Sequence, residues 1–395
     1  MPRKHCVREW SVGALAIFLF VLPLLAVSPV PAKKKPHAAG KIGAVKIVRL
    51  TPVAARPVPV AAPAKKIAAG PWRVSSYAKS SDGDETAGDD SLARQAALDA
   101  LGPLNGAIVL SDADTGRVLT VVNQKLAYKS GFQPCSTVKV PVALAALSES
   151  LVDRNTQIRV YGRTSFSMTT ALAKSNNQYF ASLGEKLGFE RMSFYARLYG
   201  LGEKASLDID AEQPGLLPAS TPKSGMGMMT SFGDGITLTP LELASLMGAV
   251  ANGGTLYYLQ YPKSRDVAES LIPQVKRQLD IGHLVSEIKP GMMGAVDYGT
   301  ARRIGNDHEE PIYGKTGTCT DTRTPTHLGW FGSFTEVGNQ RLVVVVLLTG
   351  GKIVSGPTAA GVAGQVYKNL VSQNYFARRA PEAPVEVSAG DASPR

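Results

Sequence analysis

In the stretch Pro134-Cys135-Ser136-Thr137-Val138-Lys139, a serine sits at the start of an apolar helical run with a lysine three residues on. Residues i and i+3 of a helix share a face, so the Lys139 amine is expected beside the Ser136 hydroxyl. A free backbone N–H is expected at the same helix end. Nucleophile, base and anion-stabilising donor would then come from neighbouring residues, which is the set that acyl transfer through a serine needs. The pattern S-x-x-K is common, and the chain repeats it at Ser76 to Lys79, Ser220 to Lys223 and Ser286 to Lys289. Ser76 lies in a basic, proline-rich stretch, Pro222 interrupts the third match, and Lys289-Pro290 is expected to end any helix at the fourth. Ser136 alone opens a long apolar helical run, expected to reach Leu151.

The elements that must position these groups follow from composition and punctuation. The chain has 395 residues, 44% of them hydrophobic, and a net charge of +11. Residues 1–80 hold 14 Lys and Arg against the single acid Glu9, which leaves 29 bases against 31 acids in the remainder. The folded part is therefore near neutral. The basic segment lacks interleaved aromatics, so it reads as a tether near anionic surfaces and not as a nucleic-acid site. Ser11 to Ser28 is an uncharged apolar run behind Arg3, Lys4 and Arg8, expected to be a signal peptide or membrane anchor within residues 1–32. Residues 33–91 are expected to be a flexible linker, too poor in large apolar groups to fold alone. A compact domain is expected over 92–376 and a loose tail over 377–395. Within the domain, strand patterns at Gly106 to Leu110 and Arg117 to Val122 precede helical patterns at Ser136 to Leu151, Thr169 to Gly188, Glu190 to Tyr199 and Pro240 to Asn252. Strands follow at Ile312 to Thr318, His327 to Phe334 and Arg341 to Leu348. This order predicts an α+β fold: an antiparallel sheet with helices on both faces and a helical subdomain from the middle of the chain.

Two further motifs stand out. Ser175-Asn176-Asn177 puts a hydroxyl and an amide two residues apart in the helical section, although the composition is also that of a loop or cap. Lys315-Thr316-Gly317-Thr318 lies on an expected strand, where a glycine marks close approach to the backbone. Taken in order, S-x-x-K, S-x-N and K-T-G resemble the motifs of the penicillin-recognising serine enzymes, the penicillin-binding proteins and serine β-lactamases. Ser231-Phe232-Gly233-Asp234-Gly235, Thr239-Pro240-Leu241 to Gly254, Glu212 to Pro218 and Gly291 to Thr300 look like the penicillin-binding transpeptidase domain, extending the resemblance over residues 104 to 370. The 39 residues from Ser136 to Ser175 are few for that family and point to a small helical subdomain.

The resemblance implies catalytic Ser136, Lys139 and Ser175 acting on D-alanyl-D-alanine stem peptides, with β-lactams as acylating mimics. Asn177, Lys315, Thr316, Gly317 and Thr318 would bind the substrate, and the N–H groups of Ser136 and Thr318 would form the oxyanion hole. No metal or other cofactor is implied, and His283, His308 and His327 show no ligand spacing. Some class A β-lactamases resemble this chain in joining the positions of Cys135 and Cys319 by a disulfide, so that bridge is expected in an exported domain; two buried thiols are the alternative. The expected activity is that of a peptidoglycan DD-transpeptidase or DD-carboxypeptidase on the outer side of the cell membrane, with cell-wall synthesis proteins as partners. The alternatives are a serine β-lactamase, for which Glu212 is the one acid roughly placed to drive deacylation, and a non-catalytic β-lactam sensor or scaffold.

Overall fold

A computed structural model describes residues 73–129, 131–305, 310–321 and 326–379. The expected anchor at Ser11 to Ser28 and the tail from residue 380 lie outside them. Among the described residues, no helix is long and apolar enough to cross a membrane.

Helix α1 (Ser91–Leu101) precedes a hairpin of β1 (Gly106–Asp112) and β2 (Val118–Val122). The helical section holds α2 (Lys139–Ser148), α3 (Met168–Ala173), α4 (Asn177–Leu198), α5 (Met226–Phe232), α6 (Pro240–Ala251) and α7 (Gly282–Asp297). Strands β3 (Ile312–Asp321), β4 (Thr326–Val337) and β5 (Gln340–Gly350) and helix α8 (Gly356–Ser372) follow. The strands form one antiparallel sheet in the order β2-β1-β5-β4-β3, so the chain's first and last strands meet at its centre and β3 is an edge.

Central β5 explains why Leu342 to Leu348 is an unbroken apolar run: side chains alternate between faces, and both faces are covered. Val343, Val345 and Leu347 join the core that contains Leu243, Ala244 and Met247 of α6. Leu342, Val344, Val346 and Leu348 join the opposite core with Ala93 and Ala96 of α1 and Val366 of α8. The expected α+β architecture is the observed one.

Helix starts follow their caps. Asp90 accepts from the N–H groups of Leu92 and Ala93, and Thr239 and Glu242 form a reciprocal capping box with Pro240 at the first helical position. Gly188, at φ 71°, breaks α4 where the sequence separates two helical patterns.

Two expectations are corrected. Pro290 does not end its helix, since α7 continues to Asp297. The carbonyl that Pro290 leaves without an N–H partner, that of Ser286, faces Arg154 Nη1 at 3.5 Å. The spacer expected through residue 91 also gives way earlier. Asn105 N donates to Ser76 O at 2.9 Å, and Asp84 pairs with Arg94 while accepting from the N–H groups of Asn123 and Gln124 at 2.9 and 2.8 Å. Ser81-Asp82-Gly83-Asp84 reads as a solvated turn, but its last carboxylate satisfies backbone donors just after β2. At the other end, a short helix, Tyr375–Arg379, runs past the expected boundary at 376.

Candidate active site

The nucleophile turn is tighter than a regular helix start. Cys135–Val138 is a 3-10 turn that enters α2 at Lys139, and the helix stops at Ser148, short of the expected Leu151. Residues i and i+3 stack almost directly in such a turn, and Lys139 Nζ lies 2.7 Å from Ser136 Oγ. Cys135 has φ +52°, a conformation uncommon for a residue with a side chain. The surroundings hold it there. Thr137 Oγ1 donates to Pro134 O at 2.7 Å, and the buried indole of Trp330 on β4 donates to Gln133 O at 2.9 Å. The expected disulfide joins Cys135 to Cys319, with Cα atoms 5.5 Å apart. Gly317 allows the approach: a Cβ there would stand 2.9 Å from Pro134 O.

The bridge closes a loop of 184 residues, long enough for its removal to cost about 2–5 kcal/mol in chain entropy. Reductant is therefore expected to lower the denaturation midpoint of the protein. An unchanged midpoint, with both thiols shown free by intact mass, would refute this.

Ser175-Asn176-Asn177 is at once a cap and a chemical motif. Ser175 N donates to Leu172 O at 3.2 Å and Asn176 N to Ala171 O at 2.9 Å, the pair of bonds that closes α3 with a Schellman turn. Glycine usually takes the left-handed position of that turn, but here Ser175 does, at φ 54°. Asn176 then caps α4, accepting from Tyr179 N at 2.8 Å. The cost of a left-handed serine, about 1 kcal/mol, goes with placing Ser175 and Asn177 on either side of the Lys139 amine.

Lys139 and Lys315 are both fully buried. Lys139 Nζ contacts Asn177 Oδ1 at 2.6 Å and Ser175 O and Oγ at 3.2 Å, besides Ser136 Oγ. Lys315 Nζ donates to Ser175 Oγ at 2.8 Å and Thr316 O at 2.9 Å. Ser175 thus links the two amines. Their partners are hydroxyls, an amide and carbonyls; among the described residues neither lysine has a carboxylate in ion-pairing contact. Burial pushes the Lys139 pKa down to about 6, and the nearby Lys315 charge pushes the same way. Burial lowers Lys315 as well. A neutral Lys139 can accept the Ser136 proton across the 2.7 Å contact while its own N–H groups satisfy Asn177 and Ser175. The rings of Phe180 and Phe232, 5.8 and 5.9 Å from Nζ, wall the amine with apolar surface.

Of the four S-x-x-K matches, Ser136 and Lys139 are the pair joined to the other two motifs. Some neighbours of the site have no role assigned from the sequence. Thr300, in the loop after α7, approaches Thr316 hydroxyl to hydroxyl at 2.5 Å and ties its own N–H to Ala173 O at 3.2 Å. Gly299 lets that loop in, for a Cβ there would stand 2.1 Å from Ala173 O. The resemblance takes in Gly291 to Thr300 as a stretch, but only tertiary contact gives Gly299 and Thr300 a place beside the motifs. Glu212 is not placed for deacylation. Its carboxylate is buried, accepting from the N–H groups of Ala205 and Ser206 at 2.9 Å each and from the Ser206 hydroxyl, so it braces its own loop.

Comparison with known proteins agrees with this geometry. A family model described as the penicillin binding protein transpeptidase domain matches residues 106–372. Stage V sporulation protein D of Bacillus subtilis is 27% identical over 286 residues, 64% of this chain and 44% of that protein. The peptidoglycan D,D-transpeptidase FtsI of Escherichia coli is also 27% identical, over 51% of this chain and 42% of its own length. The chain thus spans less than half of these curated relatives. The crystal structure of PBPA from Mycobacterium tuberculosis superposes with a TM-score of 0.60 at 22% identity, covering 71% of this chain and 81% of that one, a likeness of fold. Because the matched span contains the 3-10 turn, the Schellman turn and β3, and with them every side chain placed at the cleft, the chain belongs to the family of penicillin-binding protein transpeptidase domains.

Proposed function

We propose that the chain is a peptidoglycan DD-transpeptidase that works through an acyl-enzyme on Ser136, with water as the competing acceptor in the carboxypeptidase reaction. The observation that carries this reading is the contact between Ser136 Oγ and a buried lysine that, among the described residues, has no carboxylate in ion-pairing contact. Lys139 takes the Ser136 proton as Oγ attacks the penultimate D-alanine carbonyl. The N–H groups of Ser136 and Thr318 receive the developing oxyanion, a type of contact worth about 3 kcal/mol each. Ser175, between the two lysines, passes a proton to the departing D-alanine amine, and the acyl C–N bond breaks as that nitrogen is protonated. Asn177 holds the substrate amide, and Lys315, Thr316 and Thr318 meet its terminal carboxylate beside Gly317. An acceptor amine from a second stem peptide then takes the acyl group and restores the serine.

β-Lactams acylate the same oxygen, and their release is slow. Bracing of the loop by Glu212 supports this over a β-lactamase, since that carboxylate has no contact with the nucleophile. The substrate places the domain outside the cell membrane, tethered by the segment at Ser11 to Ser28 and working beside other wall-synthesis proteins.

The test incubates the protein with a fluorescent penicillin and follows labelling and release, mapping the adduct by peptide mass. Stable label on the peptide bearing Ser136, together with release of D-alanine from a D-Ala-D-Ala stem peptide, is the expected result. Rapid release of the label would favour the β-lactamase, stable label without peptide turnover would favour the sensor, and no adduct would overturn all three.

A further inference from the structure

The first turn of α8 lies directly against the strand that carries the K-T-G motif, and glycines permit it. A Cβ at Gly356 would stand 2.8 Å from Gly317 O, 2.9 Å from Thr316 Cβ and 3.0 Å from Thr318 Oγ1. At Gly329, paired with Thr318 across the ladder, a Cβ would stand 2.4 Å from Ser355 O.

A helix start leaves its first N–H groups without partners inside the helix, and those of α8 are each accounted for. Pro357 has none. Thr358 N donates to the Ser355 side chain at 3.3 Å and Ala359 N to Ser355 O at 2.9 Å. Gly356 N donates to Thr318 Oγ1 at 2.7 Å. A hydroxyl has one proton and two acceptor lone pairs. With the α8 donor on one lone pair, the Thr318 proton is turned away from the helix. Thr318 is itself exposed on the edge strand, one residue from the disulfide at Cys319. The partial positive charge of a helix start adds to the same field.

We infer that Gly356 is a positioning residue for carboxylate recognition: its N–H fixes the Thr318 hydroxyl as an outward donor, so that α8 sets the affinity of the cleft for an acyl donor's terminal carboxylate. This rests on the acyl-enzyme reading proposed above.

The test compares acylation of the full chain by benzylpenicillin and by its methyl ester, which lacks the anion. In Gly356→Ala, whose added methyl displaces the first turn of α8, the preference for the free acid is expected to fall about tenfold, the size of one hydrogen bond to a charged group. The loss should appear in binding and not in the limiting acylation rate, and the ester should react nearly as with the unmodified chain. In a Thr318→Val background, Gly356→Ala should lower the preference no further. Equal losses for acid and ester, or additive losses in the double variant, would overturn the inference. Should Gly356→Ala fail to fold, the Gly356 amide proton resonance decides. It is expected to move upfield in Thr318→Val, and an unmoved resonance overturns the proposal. Failure of the unmodified chain to react with either compound would remove the acyl-enzyme reading itself and this inference with it, whereas normal acylation with unchanged preference in Gly356→Ala removes the inference alone.

Discussion

Lys139→Met is expected to lower the rate of acylation by a β-lactam by about a thousandfold, within the range of 10²–10⁴ that general-base catalysis contributes. Methionine keeps the length and apolar stem of lysine, so the buried position stays filled between the rings of Phe180 and Phe232. What is lost is the one amine 2.7 Å from Ser136 Oγ. In the unmodified protein the same rate should rise with pH through about 6. The sign follows from the chemistry: a lysine base works only when neutral, and burial has lowered its pKa to that range. Below it Lys139 is protonated and Ser136 keeps its proton. The check is a stopped-flow acylation series from pH 4.5 to 8.5 on both proteins. A flat profile in the unmodified chain, or a Lys139→Met rate within tenfold of normal, would sink the assignment of Lys139 as base.

Glu242→Ala is expected to destabilise the fold by about 4 kcal/mol without touching the cleft. Glu242 is buried, and its carboxylate accepts from Gly202 N at 2.7 Å, Gly215 N at 3.2 Å and Thr239 N at 2.7 Å. Burial pushes its pKa up to about 7, while the donated N–H bonds pull it down. Alanine would strand three buried donors, each costing about 1–3 kcal/mol, and would break the capping box at the start of α6. In a domain of this size that corresponds to a drop of roughly 10 °C in Tm. Calorimetry of the variant against the unmodified protein measures it; a shift under about 2 °C would show that water or rearranged loops satisfy those donors.

The two predictions differ in how far the sequence anticipates them. Lys139 is legible because its partner is three residues away and the turn geometry is local. Thr239-Pro240 announces a helix start for the same reason, but nothing local says that the Glu242 carboxylate also serves Gly202 and Gly215. The same division runs through the fold. Apolar Leu342 to Leu348 announces a strand covered on both faces, and the glycine in Lys315-Thr316-Gly317 announces a close approach. Pro290 and Asp84 mislead, because the groups that accommodate them, Arg154 and the backbone after β2, are distant in sequence.

By itself, then, the sequence determined the three motifs, their order, the helices and strands that carry them and the cysteines flanking the nucleophile and the K-T-G strand. Each depends on spacing within a few residues or on matching a pattern. Tertiary structure alone decided that Ser175 stands between two buried amines, and that Thr300 and Gly356 hold the threonines of β3. Those relations are made by side chains and backbone atoms tens to hundreds of residues apart. Burial of the two lysines, which depresses both of them, exists only once the sheet and the helical section have closed around the cleft.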